Sequence, residues 1–120
     1  MKCLDPGHRY ELLTLDGEEK QILQFVKREG EKFPGNEGTA CGTTLQEVIR
    51  ALIDRVDYLN NQVPDQDNVE AIGHLAASLF LFEKRAARRH NRTTPPILEI
   101  LNGPFCDKCL HAGCKGGCHV

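Results

Sequence analysis

Four cysteines and a histidine at the carboxyl end of the chain have the spacing of metal ligands. They are Cys106, Cys109, Cys114, Cys118 and His119, all within the last fifteen residues. The C-x2-C-x4-C order is similar to a zinc knuckle, whose last ligand follows after four more residues, the position of His119. Four cysteines, or three cysteines and the histidine, would supply the tetrahedral sulfur and nitrogen set that Zn²⁺ prefers. We therefore expect a structural zinc ion in this tail.

Other interpretations of the tail stay open. The cysteines would form a pair of disulfides in an oxidising compartment, or remain reduced without metal. His111 is a less favoured substitute ligand. Few aromatic or basic residues flank the cysteines, so we expect a structural role for the zinc and not nucleic-acid binding. Cys3 and Cys41 are isolated in the sequence and are expected to be reduced.

A second group of candidate functional residues is a cluster of basic side chains. Five of the fifteen lysines and arginines fall between Lys84 and Arg92. On a helix, Arg85, Arg88 or Arg89, and Arg92 would share one face. Guanidinium groups side by side suit a ligand with more than one phosphate. The alternative is that cations at a helix carboxyl end are simply favoured by the helix dipole.

Catalytic patterns are missing from the sequence. It has no Ser/His/Asp order, no phosphate-binding loop, no dinucleotide fingerprint and no HExxH. Paired carboxylates fall at expected turns and helix caps. The chain is therefore predicted to bind a ligand and not to be an enzyme.

The elements that would position these residues follow from hydrophobic periodicity. Runs rich in β-forming residues on either side of Asp16-Gly17 predict a β-hairpin within residues 8–33, although residues 18–29 also fit a helix. A loop rich in glycine follows, to Gly42. Thr44 and Glu47 form a capping box for an amphipathic helix to about Asn60.

A second amphipathic helix, with Asp67 as its cap, is predicted to run to about Arg89. Two helices joined by about six residues form an antiparallel hairpin, which cannot bury both apolar stripes by itself. This predicts a homo-oligomer. The expected fold class is α+β, with a β-rich layer over 1–42 packed with a helical hairpin over 43–94, and a linker and cysteine-rich tail over 95–120.

Composition limits the class of protein. The chain has 120 residues, a formal charge of −2 and 40% hydrophobic residues, which fits a single small globular domain. No apolar run approaches the ~20 residues of a membrane span. The amino terminus lacks the apolar stretch of a signal peptide. We expect a cytoplasmic protein without a membrane partner.

Several short motifs, in the right order over residues 8–92, resemble the phage anti-Thoeris sponge family, the first type of Thoeris anti-defence protein. Its helical hairpin is shared with phage anti-CBASS sponges. The motifs are His8-Arg9-Tyr10-Glu11-Leu12, Leu23-Gln24-Phe25, Gly42-Thr43-Thr44-x-x-Glu47-Val48, Leu52-Ile53-Asp54-Arg55-x-x-Tyr58-Leu59, Asn68 and Leu81-x-Glu83-Lys84-Arg85-x-x-x-Arg89.

The resemblance implies sequestration without chemistry. Such sponges hold cyclic nucleotide immune signals away from their effectors, glycocyclic ADP-ribose in this family and in some members cyclic di- or trinucleotides at separate sites. They assemble from dimers, often into hexamers (trimers of dimers), with ligand sites between protomers. A member of this family would act in the cytoplasm of the infected cell.

When the family's ligand-contacting positions are transferred to this chain, the resemblance implies ligand contacts by Tyr58, Asn68, Arg85 and Arg89. Tyr58 would stack on adenine, Asn68 would bind a base edge or ribose hydroxyl, and the arginines would bind a pyrophosphate. Alternatively, Tyr58 is a core aromatic and Asn68 a helix cap. Separately, Thr43 and Thr44 at a helix amino terminus suit a second anion site, although Thr44 already caps its helix.

The chain also departs from the family. Asp65-Gln66-Asp67 stands where members often have Cys-Arg-Glu, which makes that rim more acidic and leaves the identity of the ligand open. The cysteine tail is not part of the family pattern. Two other functions therefore stay under consideration, a nucleic-acid-binding protein that uses the arginines and the knuckle, and a structural assembly protein.

Overall fold

A computed structural model describes residues 1–26 and 42–105 of the chain. These residues belong to two compact units, divided between Leu45 and Gln46. The first unit holds three strands and the second holds nearly all of the helical structure, so the α+β class is confirmed. The predicted zinc ligands and most of the predicted glycine-rich loop lie outside the described residues. No described helix is both long enough and apolar enough to cross a membrane.

The first unit is a three-stranded antiparallel sheet with the strands in chain order. The strands are β1 (Lys2–Asp5), β2 (Arg9–Leu12) and β3 (Gln21–Gln24). Tyr10 lies opposite Leu23 in the register of β2 and β3, and its ring meets that of Phe25 edge-on at 6.1 Å. The predicted hairpin is confirmed, and the helical alternative for residues 18–29 is wrong over β3. β1 was not predicted.

The turn between β2 and β3 uses the Asp-Gly pair that predicted it. Gly17 has a φ of 72°, a conformation that costs glycine little, and Oδ1 of Asp16 accepts from the amide of Glu18 at 3.2 Å. The connection spans residues 13–20, so it is longer than a two-residue hairpin turn. The tight-turn signal therefore marks the middle of a wider loop.

The second unit is a helical hairpin with a short third helix. It comprises α1 (Leu45–Gln62), α2 (Gln66–Arg89) and α3 (Ile97–Asn102). Only three residues join α1 to α2, and Arg50 near the start of α1 bonds to Glu83 near the end of α2. The helices therefore run antiparallel, as predicted. α3 lies in a segment that the sequence suggested was a linker.

The core of this unit is small and lies where the three helices meet. Ile49, Leu79 and Ile100 are its buried centre, one from each helix. Partly buried apolar side chains surround them: Ile53, Leu75, Phe82, Leu101 and Phe105. The contribution of Ile100 explains why α3 forms, since six residues are too few to be stable as an isolated helix.

The amino end of α2 corrects one detail of the prediction. Oδ1 of Asp65 accepts from the amide of Asp67 at 2.8 Å, and Asp65 has an extended conformation, so Asp65 is the N-cap. Asp67 therefore lies inside the first turn and is not the cap. The prediction chose the wrong aspartate because either one would place a carboxylate near the helix amino terminus.

Candidate functional site

The two arginines predicted to bind phosphate lie on the last two turns of α2. Arg85 and Arg89 are four residues apart on a regular helix, so they share a face, and both are exposed. The Arg85 guanidinium carbon lies 5.3 Å from the centre of the Phe82 ring. The Glu83 carboxylate is 1% exposed and accepts from Arg50. It is therefore turned away from this face, which presents two cationic groups.

Tyr58 and Asn68 lie at the opposite end of the hairpin, next to the α1–α2 connection. The Tyr58 side chain is on α1 and 54% exposed, so it is not a core aromatic. Its hydroxyl accepts from Nε2 of Gln62 at 3.1 Å, and the Arg55 guanidinium carbon lies 5.6 Å from the ring centre. Asn68 is half-buried in the first turn of α2 and is not the helix cap.

The structure does not bring these four residues together within one chain. Arg85 is seventeen residues beyond Asn68 on the same helix. At 1.5 Å per residue this is about 25 Å. Tyr58 lies at the Asn68 end because α1 and α2 are antiparallel. The hairpin therefore carries an aromatic and amide pair at one end and an arginine pair at the other.

Thr43 and Thr44 belong to the first unit, where the backbone of Thr43 pairs with the chain at the end of β3. The amide of Thr43 donates to the carbonyl of Gln24 at 2.9 Å, and the amide of Val26 donates to the carbonyl of Thr43 at 3.0 Å. Thr44 is buried, directly before the first residue of α1. Sequence reasoning missed the strand-like pairing of Thr43, because a single bridge leaves no periodic signal.

The carboxyl end of α2 differs from the predicted arginine stripe. The helix ends at Arg89, and Asn91 has a φ of 57°. Arg92 therefore lies past the helix end and does not continue the face of Arg85 and Arg89. It instead contributes to an open groove of about 430 Å³. Among residues 1–26 and 42–105, those that line this groove are Lys84, Arg88, Asn91, Arg92, Thr93 and Thr94.

This groove was not predicted from the sequence. An asparagine after the last apolar position of a helix is a known helix-ending signal, and it could have placed the chain reversal at Asn91. Nothing local could have shown that Thr93 and Thr94 return beside Lys84 and Arg88. The grouping depends on where the chain goes after the helix ends.

A smaller cavity of about 220 Å³ lies between the helices of the hairpin, with Ile53 and Ile72 among its apolar walls. Asp54 and Asp57 line the same cavity, and both are exposed. These carboxylates make this part of α1 acidic, in contrast to the basic end of α2.

Within residues 1–26 and 42–105, no group of three or more histidine, cysteine or acidic side chains could hold a metal ion. Cys3 is a free, exposed thiol. The expected zinc ligands Cys106, Cys109, Cys114, Cys118 and His119 lie beyond this part of the chain, so the zinc site stays a prediction.

Motif order alone carries the resemblance to the sponges. In the structure, Arg85, Arg89 and Tyr58 are exposed, and Asn68 lies at the other end of α2 from the two arginines. No protein-family model, curated protein or solved structure matches the chain.

Proposed function

We propose that this protein is a non-enzymatic phage anti-defence sponge that sequesters a cyclic nucleotide immune signal, with glycocyclic ADP-ribose as the expected ligand. The observation that carries the proposal is the exposed pair Arg85 and Arg89, one turn apart on α2. Two guanidinium groups at this spacing can each bind the oxygens of one phosphate of a pyrophosphate. A cyclic di- or trinucleotide would use a separate site, for which Thr43 and Thr44 are the candidates.

The separation of the two pairs, Tyr58 with Asn68 and Arg85 with Arg89, supports a ligand site shared between protomers. About 25 Å along α2 is too far for one cyclic nucleotide to touch both Asn68 and Arg85 of the same chain. A second copy lying antiparallel to the first would place its arginine pair beside Tyr58 and Asn68. The proposed site is therefore complete only in an oligomer.

Exposed apolar side chains on α1 support such an oligomer. Leu45, Leu52 and Leu59 repeat at intervals of seven residues and are each between 38% and 46% exposed. Side chains at this interval follow one face of a helix, as in the seam of a coiled coil. A second helix packed along this face would remove the leucines from water, which favours association.

The distribution of charge along the hairpin supports an antiparallel arrangement. Residues 54–70, around the α1–α2 connection, carry five exposed carboxylates and one arginine. Residues 84–92, at the other end, carry five cations and no carboxylate. Antiparallel pairing places unlike charges together, whereas parallel pairing places like charges together. The charges therefore favour the arrangement that also completes the site.

The cysteine-rich tail has a structural place in this proposal. A zinc ion held by Cys106, Cys109, Cys114 and either Cys118 or His119 would fold a segment that is too short and glycine-rich to form its own core. The ion would take no part in ligand binding.

Native mass spectrometry with and without glycocyclic ADP-ribose tests the proposal, with a cyclic trinucleotide as a second ligand. We expect dimers or hexamers that gain whole ligands, and ligand recovered unchanged after heat denaturation. Arg85→Gln/Arg89→Gln should weaken binding by at least about 100-fold, because two charge-assisted interactions are lost. The matched control is Lys84→Gln/Arg88→Gln, which removes the same charge one residue earlier on the helix.

Mixing two defective variants tests the shared site. Protomers carrying Tyr58→Ala/Asn68→Ala and protomers carrying Arg85→Gln/Arg89→Gln should each fail to bind alone. Mixed oligomers should recover binding, since one interface then has all four side chains. If Arg85→Gln/Arg89→Gln and Lys84→Gln/Arg88→Gln both bound the ligand with the affinity of the wild type, the assignment of the site would be wrong. Recovery of the ligand in cleaved form would exclude a sponge.

A further inference from the structure

The cavity of about 220 Å³ between the helices of the hairpin combines an apolar wall with two carboxylates. The wall has one side chain from each helix, Ile53 of α1, Ile72 of α2 and Leu101 of α3. The carboxylates belong to Asp54 and Asp57. No residue of the proposed nucleotide site is among the described residues that line the cavity. The cavity is therefore a separate candidate site.

The cavity exists because α3 fills only part of the groove between α1 and α2. The six residues of α3 form a helix about 9 Å long, whereas the 18 residues of α1 form one about 27 Å long. Only the last two residues of α3 contribute to the lining. Gly103, with a φ of 84°, then ends α3, and the Phe105 ring lies against the Arg50 guanidinium. The described chain therefore leaves the groove open toward the α1–α2 connection.

The apolar part of this cavity is large enough for an aromatic ring. In other proteins an apolar cavity of about 150 Å³ holds benzene. Ile53 and Leu101 pack against the buried core of the unit, so the core holds both side chains in place. A ring inserted here would lose apolar contact with water, which favours binding.

The two aspartates make one side of the cavity negative. Asp54 and Asp57 are three residues apart on α1, so they share a face of the helix. Like charges at this spacing repel each other. Within residues 1–26 and 42–105, neither carboxylate has a hydrogen bond or an ion pair. A cation bound between the two carboxylates would reduce their repulsion.

The nearby arginines do not cancel this negative charge. Arg50 lines the cavity, but its guanidinium donates to the carboxylates of Glu83 at 2.8 Å and Glu47 at 3.3 Å. Arg55 lies between the two aspartates in sequence, and its guanidinium carbon is 5.6 Å from the centre of the Tyr58 ring. The carboxyl end of α3 is also beside the cavity, and such a helix end favours cations.

We infer that this cavity binds a small organic cation, a primary amine joined to an apolar group of about the size of a benzene ring. The apolar group lies among Ile53, Ile72 and Leu101. The protonated amine has three donors and binds the carboxylates of Asp54 and Asp57. The inference does not depend on the proposed sponge function, because the two sites share no residue.

Calorimetry of the full chain with phenethylamine, which is protonated at neutral pH, tests the inference. The matched neutral probe is 2-phenylethanol, which has a hydroxyl in place of the ammonium group. We expect phenethylamine to bind at least about tenfold more tightly than the alcohol, because only the amine forms charge-assisted hydrogen bonds. Methylamine has the charge without the ring and should bind at least about tenfold more weakly than phenethylamine.

A pair of double variants separates the cavity from the general acidity of the surface. Asp54→Asn/Asp57→Asn keeps the shape of the cavity and should weaken phenethylamine binding by at least about tenfold, with 2-phenylethanol binding changed by less than about twofold. The matched control is Asp67→Asn/Glu70→Gln, which removes two exposed carboxylates at the same spacing on α2. It should leave both affinities within about twofold of the wild type.

Nuclear magnetic resonance of labelled isoleucine and leucine methyl groups locates the probe. Addition of phenethylamine should shift the methyl signals of Ile53, Ile72 and Leu101 more than those of isoleucines and leucines outside the cavity. Largest shifts elsewhere in the chain would contradict the placement of the ring in this cavity.

Three other results would overturn the inference. They are no binding of phenethylamine, equal affinity for the amine and the alcohol, and an equal loss of amine binding in the two double variants. The last result would mean a diffuse acidic surface and not a site. If glycocyclic ADP-ribose failed to bind while phenethylamine bound as expected, the proposed function would be removed and this inference would be unchanged.

Discussion

Arg50 and Glu83 form a buried ion pair that joins the two long helices. Nη2 of Arg50 donates to Oε1 of Glu83 at 2.8 Å, with the side chains 9% and 1% exposed. Nε of Arg50 donates to the carbonyl of Ile100 at 2.8 Å, and its guanidinium carbon lies 4.0 Å from the centre of the Phe105 ring. One side chain therefore connects α1, α2, α3 and the residue at the end of the described chain.

Replacing Arg50 is expected to destabilise the helical unit strongly. Arg50→Met should lower the free energy of unfolding by about 3–5 kcal/mol, because the buried Glu83 carboxylate loses its ion pair with Arg50 while α3 loses its bond to α1. Arg50→Met/Glu83→Gln should recover part of this loss, since the buried negative charge is then gone. Urea unfolding followed by helical circular dichroism measures both.

The control for this pair is Glu47→Gln. Oε2 of Glu47 accepts from the same guanidinium at 3.3 Å, but its side chain is 52% exposed. An exposed pair of this kind contributes at most about 1 kcal/mol. An Arg50→Met protein that unfolds at the same urea concentration as the wild type would contradict the assigned role of Arg50.

Two glycines are expected to respond in opposite directions to alanine. A Cβ on Gly42 would lie 2.6 Å from the backbone carbon of Phe25 and 2.7 Å from the carbonyl oxygen of Gln24. Gly42→Ala should therefore destabilise the sheet unit by about 1–3 kcal/mol. Gly73, in the middle of α2, has open space around it. Gly73→Ala should stabilise the helix by about 0.5–1 kcal/mol.

Hydrogen exchange of the strand amides measures the loss of stability in Gly42→Ala. Thermal unfolding of the helices measures the gain of stability in Gly73→Ala. Since each variant lies in a different unit, each serves as the control for the other. Unchanged protection of the β2 and β3 amides in Gly42→Ala would mean that the backbone can move away at no cost.

The cap of α2 gives a third prediction. Asp65→Ala should lower the free energy of unfolding by about 1 kcal/mol, because the amide of Asp67 loses its acceptor. Asp65→Asn should retain most of the stability, as asparagine caps comparably. Chemical denaturation of these variants beside Asp67→Ala checks the assignment. A larger loss in Asp67→Ala than in Asp65→Ala would restore Asp67 as the cap.

The metal prediction concerns the carboxyl-terminal tail. Elemental analysis of protein purified without chelator should find zinc close to one equivalent per chain, because the sequence of the tail has four cysteines and a histidine at the spacing of zinc ligands. The Cys109→Ser variant should contain no zinc. Cys118→Ser and His119→Ala distinguish the two candidates for the fourth ligand, since only the true ligand's replacement lowers zinc content. A full complement of zinc in Cys109→Ser would remove the knuckle assignment.

The elements that were predicted correctly have a strong local signal. Helical spacing of apolar residues placed α1 and α2 to within a few residues, and the Asp16-Gly17 pair placed the β2–β3 connection. β1 was missed although β2 and β3 are equally short, because β2 and β3 flank the Asp16-Gly17 turn signal and β1 does not. α3 was missed because six residues are too few to show a helical period, and it forms through contacts with residues distant in sequence such as Arg50.

The sequence by itself determined the two amphipathic helices, their antiparallel order and the basic end of α2, because periodicity and a short connection are local properties. Only the tertiary structure decided which charges face inward. Glu83 is buried beside Arg50 while Arg85, two residues later, is exposed. Asn68 and Arg85 lie at opposite ends of α2, and this separation already follows from the length of the predicted helix. Residues that share a motif order need not share a site, because distance along a helix grows with every residue between them.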